Sequence, residues 1–226
     1  MGIRGSIYRG LPRRLRGERV RRVNRDDGRV ALTFDDCNAP LAWGSILDFL
    51  HDEDIKASFF PIGELLSENR ALIRRTVEEG HSVGSHGWDH ARLDGLSIRD
   101  TVRRVRADAE AMQAAAGVST APYFRPPFCA YDRRVLLGAA LARHHHVVLW
   151  DVDPYDWQVT NPVEIAENVL KSVRSGSIIL LHTRVQTALA LPHVLGGLRE
   201  RRLVPVSLAE LFDGHEKAFS SQVTDA

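Results

Sequence analysis

The chain has 226 residues, 44% apolar and 26% charged, with a formal net charge of +1, the proportions of an ordinary soluble domain. Its length supports one sizeable core and is short for two, and no apolar run approaches the length of a membrane span. Two cysteines, Cys37 and Cys129, are too few for a disulfide framework, which fits a reducing compartment.

Charge is distributed unevenly. Residues 1–25 carry nine Arg against Glu18, and the remainder is net acidic. Such an arm can dock on anionic lipid or nucleic acid. The preferred reading is a disordered tail, with weak anionic-membrane contact as an option and no nucleic-acid partner. Met1-Gly2-Ile3-Arg4-Gly5-Ser6 also fits the myristoylation pattern. The basic start has no apolar segment behind it, so no secretory signal is read and a cytoplasmic location is expected. The domain proper is expected over residues 26–214, with 215–226 as a tail.

The stretch 30–36 (VALTFDD) is a near-continuous apolar run ending on two carboxylates, and reads as a strand buried on both faces. Neighbouring side chains of a strand point opposite ways, so Asp35 and Asp36 can do different jobs. Such a pair can equally open a polar turn or cap the next helix. Asn38 and Pro40 suit a helix start, with Leu41, Ile46, Leu47 and Leu50 as its apolar face. Residues 55–62 read as a second strand, 65–79 as a helix stopped by Gly80, and 82–85 as a short strand leading into His86-Gly87-Trp88-Asp89-His90. A long helix is predicted over 98–116, closed by Gly117, then a strand over 122–125 that runs into Pro126-Pro127. Helix 131–145, strand 147–152, helix 162–174 (stopped by Gly176) and strand 177–181, delivering His182, follow. A helix over 187–200, a strand over 203–206 and a short helix over 207–212 end the pattern. Alternating strands and helices imply parallel pairing by right-handed crossovers. About seven such units suggest a closed or nearly closed barrel, with each candidate polar group just past a strand, where such folds carry their chemistry.

His86 and His90 are spaced i, i+4, so on one helical turn both imidazoles would face the same way. With Asp36 they would make a three-ligand site with one position open, the pattern of a catalytic zinc. Surface or core histidines are the plainer alternative. Arg125 could clamp a carboxylate bidentately or form a surface ion pair worth little. Asp156 could orient a histidine and Trp157 wall a pocket, or both could belong to a β-turn with a packed Trp. His182 ends a very apolar strand. A neighbouring carboxylate would raise its pKa and make it a proton donor; otherwise it is a satisfied core histidine.

Taken together and in order, Thr-Phe-Asp-Asp, His-x-x-x-His, Arg-Pro-Pro, Asp-x-x-Asp-Trp and Leu-x-His resemble the five motifs of the NodB-homology polysaccharide deacetylases, carbohydrate esterase family 4, over roughly residues 28–212. The resemblance implies a distorted (β/α) barrel of about seven strands. It also implies a metal-dependent hydrolase that removes N-acetyl groups from an amino-sugar-containing glycan or glycoconjugate and releases acetate. Asp36, His86 and His90 would hold one divalent metal, zinc by default, although cobalt, nickel or manganese could take the same ligands. Asp35 would be the general base, held by Arg125, and His182 the general acid, tuned by Asp156. The backbone N–H of Phe128 would help bind the oxyanion, and Trp157 and Leu180 would line the pocket for the acetyl methyl. The same machinery could hydrolyse an O-acetyl ester or the amide or imide of a small cytosolic metabolite. A non-catalytic glycan-binding relative would be expected to lose a ligand or the base, and this sequence keeps all of them.

The chain departs from the family pattern twice. Motif one usually continues with Gly-Pro, and Arg-Pro-Pro with an aromatic residue and Gly; Cys37 and Cys129 stand where those glycines are expected. The favoured reading is two small residues tolerated where φ need not be positive. The sharper one is a redox-sensitive disulfide across the site mouth.

Overall fold

The computed structural model describes residues 17–213. The central strand is β2 (Arg29–Asp36), in which Val30, Ala31, Leu32 and Phe34 are buried. It pairs in parallel with β3 (Ser58–Pro61), with β7 (Ile178–His182) and, along Arg29–Ala31, with β8 (Val204–Val206). β4 (Ser82–Val83) extends this sheet beyond β3. A second parallel sheet has the order β1 (Glu18–Val20), β6 (His146–Val148), β5 (Tyr123–Phe124). Single bridges join the sheets among the described residues, Ser85 to Phe124 on one side and Val152 to Ile179 and, antiparallel, Arg22 to Ser177 on the other. The result is a ring of parallel strands with two thin seams, a distorted barrel. Parallel neighbours need crossovers, and the helices supply them.

The helices begin and end where local chemistry directs. α1 (Pro40–Asp52) opens on a proline, whose missing N–H is unneeded in a first turn. α2 (Arg70–Glu78) follows a single 3-10 turn at Gly63–Leu65. α3 (Ile98–Ala116) is capped by the Ser97 hydroxyl accepting from the Asp100 N–H and is closed by Gly117 at φ 72°. α4 (Arg133–Leu141) is capped by Asp132, and α5 (Pro162–Ser172) by Asn161. α6 (Val185–Glu200) and α7 (Leu208–Phe212) complete the chain, α7 with a capping box between Ser207 and Glu210. The main core lies between β2, β3, β7 and their helices; Phe59 stacks on Phe34 at 5.1 Å and on Trp43 at 6.2 Å. Burying each such side chain contributes about 1.5–3 kcal/mol.

Several expectations need correction. The basic arm does not run free to residue 25. Glu18–Val20 is a strand, Val20 and Val23 are buried, and the Val23 N–H donates to the Gly176 carbonyl at 2.9 Å. The arginines around them are consistent with packing: Arg25 donates to the Leu211 carbonyl at 2.6 Å and Arg22 to the Ser175 carbonyl at 3.3 Å. The expected strand over 147–152 pairs regularly only at His146–Val148, because beyond it the chain crosses to β7 at a single bridge. The strand over 55–62 is likewise only Ser58–Pro61, and the helix over 131–145 only Arg133–Leu141. The first part of the arm, with its myristoylation-like pattern and any membrane contact, and the tail from residue 215 lie outside the described residues. Among the described residues no helix is long and apolar enough to cross a membrane.

Candidate active site

The candidate chemistry sits past the ends of strands β2, β4, β5, β6 and β7. Asp35 and Asp36 close β2, and the parallel register sets Asp35 beside His182 on β7. Asp35 accepts from Arg125 Nη1 at 2.6 Å. Arg125 is wholly buried. Its Nη1 also donates to Thr33 Oγ1 at 2.9 Å, its Nε to the Val148 carbonyl at 3.0 Å and its Nη2 to the Leu149 carbonyl at 3.4 Å. The guanidinium lies 4.3 Å from the Phe60 ring centroid. This is neither a surface ion pair nor a two-pronged clamp: one nitrogen meets one carboxylate oxygen, and the remaining donors are spent on backbone and Thr33.

The histidine pair converges for a different reason from the one its spacing suggests. Residues 86–90 form a loop, not a helical turn, with Gly87 at φ 82° and His90 at φ 52°. The loop lies on the 3-10 turn, whose Gly63 and Glu64 N–H groups donate to the Gly87 and Trp88 carbonyls at 3.0 and 2.9 Å. His86 Nδ1 donates to the Arg125 carbonyl at 2.8 Å, which leaves Nε2 bare and aimed at Asp36. Asp36 Oδ1 lies 3.5 Å from His86 Nε2 and 3.2 Å from His90 Nε2. Tetrahedral zinc with bonds of about 2.0–2.1 Å separates its ligand atoms by about 3.3–3.4 Å. Asp36 Oδ1 is buried and has no hydrogen-bond partner, an orphan that a cation would satisfy. One carboxylate and two imidazoles thus fit a divalent metal. Burial works against the charged form of Asp36, yet the closeness of His86 and the charges of His86, His182 and His90 bring its pKa down to about 2. Burial, then the neighbouring His86, lowers that of His90. Both shifts favour the metal-binding protonation states.

His182 Nδ1 donates to Asp156 Oδ1 at 2.7 Å. Asp156 is fully buried, and its Oδ2 accepts the His182 N–H at 2.8 Å and the Thr187 hydroxyl at 2.6 Å. Burial pulls the His182 pKa down, but the bond and charge of Asp156, with Asp35 and Asp36 behind them, outweigh it and raise the pKa. Phe128 is exposed, its ring 4.5 Å from that of His90. Trp157 is exposed beside Tyr155, and Leu180 is buried two residues before His182, on the same face of β7.

Positive φ is concentrated here. Asp36, Cys37, His90, Phe128, Cys129 and Tyr155 all have φ between 52° and 69°, a conformation costing about 1–3 kcal/mol per non-glycine residue. The cysteine reading is therefore corrected: Cys37 and Cys129 do occupy left-handed positions, and the Cys37 N–H folds back to the Asp35 carbonyl at 2.9 Å in a tight turn around Asp36. Both thiols are free, Cys37 within the main core and Cys129 against a separate apolar cluster. Sequence reasoning missed Thr33, Ser85, Thr187 and the α3 pair Arg104 and Asp108, which contact the site's supporting loops. Asp108 was findable, as an acid on the buried stripe Thr101, Val105, Met112 and Ala115.

Residues 22–147 match the family model for polysaccharide deacetylases. The chain belongs to the polysaccharide deacetylase family. It is 35% identical over 199 residues to the chitooligosaccharide deacetylase of Rhizobium leguminosarum bv. phaseoli, covering 79% of this chain and 86% of that protein. With the peptidoglycan-N-acetylglucosamine deacetylase PgdA of Listeria monocytogenes it shares 32% identity over 189 residues, 81% of this chain but only 39% of the Listeria protein's length. Among solved structures, a mutant CE4-family pseudoenzyme of Bacillus anthracis with restored enzymatic activity superposes with a TM-score of 0.81 at 26% identity, over 86% of this chain and 71% of that one. The family 4 acetyl xylan esterase of Clostridium thermocellum, in complex with a cobalt ion, gives 0.74 at 29% identity, over 81% of this chain and 90% of that one. The ring of parallel strands is thus the distorted barrel of this deacetylase family.

Proposed function

We propose that this polysaccharide deacetylase family member is a metal-dependent N-deacetylase that cleaves the acetamide of an amino-sugar glycan or glycoconjugate to acetate and a free amine. The observation that carries the reading is the orphaned Asp36 Oδ1 facing two imidazole nitrogens, with Asp35–Arg125 and His182–Asp156 beside it. Asp36, His86 and His90 would hold the metal, zinc by default. When bound, a divalent cation supplies Lewis acidity that polarises a carbonyl and makes water acidic near neutral pH.

The chain's own residues divide the remaining work. Asp35 takes the proton of the attacking water, and Arg125 keeps that carboxylate oriented. His182 gives a proton from Nε2 to the leaving nitrogen while Asp156 holds its Nδ1–H, without which C–N cleavage would expel a poor leaving group. The Phe128 N–H is the donor assigned to the oxyanion. Leu180 and Trp157 flank the acetyl methyl.

The test is acetate release by zinc-loaded protein from chitooligosaccharides, peptidoglycan fragments, carrier-linked N-acetylglucosamine and acetylated xylan. Release from an N-acetyl substrate, abolished by a chelator, is expected. Asp36→Ala and His86→Ala should fail to retain zinc, as read by metal analysis. Silence across the panel with metal bound would overturn the reading and leave a small specialised amide as substrate or a non-catalytic relative. The likeness to an acetyl xylan esterase favours O-acetyl cleavage as the second reading, and release from the xylan alone would select it.

A further inference from the structure

The histidine loop carries two left-handed residues, Gly87 and His90, and has no helix or strand pairing of its own over residues 86–90. Besides the two backbone bonds from the 3-10 turn, it meets the inner face of α3 at two points one helical turn apart. Arg104 forms a hydrogen-bonded ion pair with Asp89, between the two histidines in sequence. Asp108 is fully buried beneath the start of the loop. A Cβ on Gly63 would lie 2.7 Å from Asp108 Oδ1, so the carboxyl is pressed against the turn that carries the loop. The Ser85 hydroxyl is the polar group that faces it. Ser85 Oγ also accepts the Gly87 N–H at 3.3 Å, and its backbone is tied to Tyr123 and Arg125.

Asp108 is costly where it stands. Neither of its oxygens has a well-formed hydrogen bond, and a position that only needed filling would be served better by the apolar residues of its own stripe. From this placement we propose that Asp108 and Arg104 are positioning residues for the metal site: they hold residues 85–90 so that His86 and His90 face Asp36 before any metal arrives. The inference rests on the metal-site reading above. Its observable is metal affinity, because supporting residues of this kind change affinity by about 10–100-fold.

The experiment uses the full chain, stripped of metal, with zinc affinity measured by competition against a chromogenic chelator. Amide exchange over residues 85–90 and the melting temperature are measured on the metal-free protein. Arg104→Gln, at a partly exposed position, and Asp108→Ala should each weaken zinc binding about tenfold or more and speed exchange across the loop. Asp108→Asn should restore affinity, because the amide fills the same space and its oxygen can still face the Ser85 hydroxyl. Wild-type affinity in both Arg104→Gln and Asp108→Ala overturns the proposal while leaving the metal site intact. Affinity that falls only in proportion to lost melting temperature overturns it too, since that is a purely structural effect. A wild-type chain that binds no zinc overturns both the site reading and this inference.

Discussion

Asp35 ends the extended run of β2, and Asp36, at φ 69°, turns out of it, so the two adjacent carboxylates meet different partners and can take the different roles proposed for them. Asp36 faces the imidazoles, and Asp35 is caught by the Arg125 guanidinium. Asp35→Asn should therefore keep its zinc and lose about 10²–10⁴ in kcat, as read by acetate release alongside metal content. His182 must be protonated to donate. In that proposed role, with its pKa raised above the ordinary 6.5 in the fold, kcat should fall as pH rises through the raised value. Asp156→Asn removes the main upward influences, so the alkaline limb of the kcat profile should move to lower pH. An unmoved limb would mean that another group donates the proton.

At the scale of elements, the barrel depends on close approaches that only particular residues permit. Gly176, at φ 81° before β7, lies so near the segment after β1 that a Cβ would sit 1.8 Å from the Val23 carbonyl oxygen. Gly176→Ala should destabilise the fold by more than about 1 kcal/mol in urea unfolding, with amide exchange around Val20 and Val23 rising first. That contact was not legible in the sequence, because an arginine-rich composition hides two buried valines spaced three apart. The histidine loop was misread for a related reason. An i, i+4 spacing suits a helix, but Gly87 and the donors of Gly63 and Glu64 fold it otherwise. The long α3 was legible to the residue, because its cap, its apolar stripe and its terminal glycine all lie within the segment itself.

Across the whole molecule, buried titratable groups shape the response to acid, His144 among them. Burial lowers the pKa of His144 to about 4, from 6.5. The ring is satisfied when neutral, with Nδ1 donating to the Ala142 carbonyl and Nε2 accepting from the Thr120 hydroxyl. The unfolded chain then takes up a proton first as pH falls, so this group's share of stability is whole above about 6.5 and declines toward 4, by up to about 1.4 kcal/mol per pH unit. Burial of Asp108 raises its pKa and acts in the opposite direction over the same range, so the total curve is a sum of opposing slopes. A difference isolates the histidine. The stability gap between wild type and His144→Asn, measured by urea unfolding, should shrink as pH falls from 6.5 to 4.

The sequence by itself determined which residues would stand at the strand ends. Near-continuous apolar runs closing on Asp35-Asp36 and His182, and the short strand before Arg125-Pro126-Pro127, encode buried strands and their polar tips, and the order of the motifs identified the family. Only the tertiary structure decided which tips meet. Arg125 reaches Asp35 across 90 positions of chain, His182 reaches Asp156 across 26, and the orphaned oxygen of Asp36 exists only once two loops close over it. The division has a physical cause. Strand and helix patterns are written in neighbouring residues, whereas pairings between distant tips depend on register, loop closure and packing, which no local stretch of sequence contains.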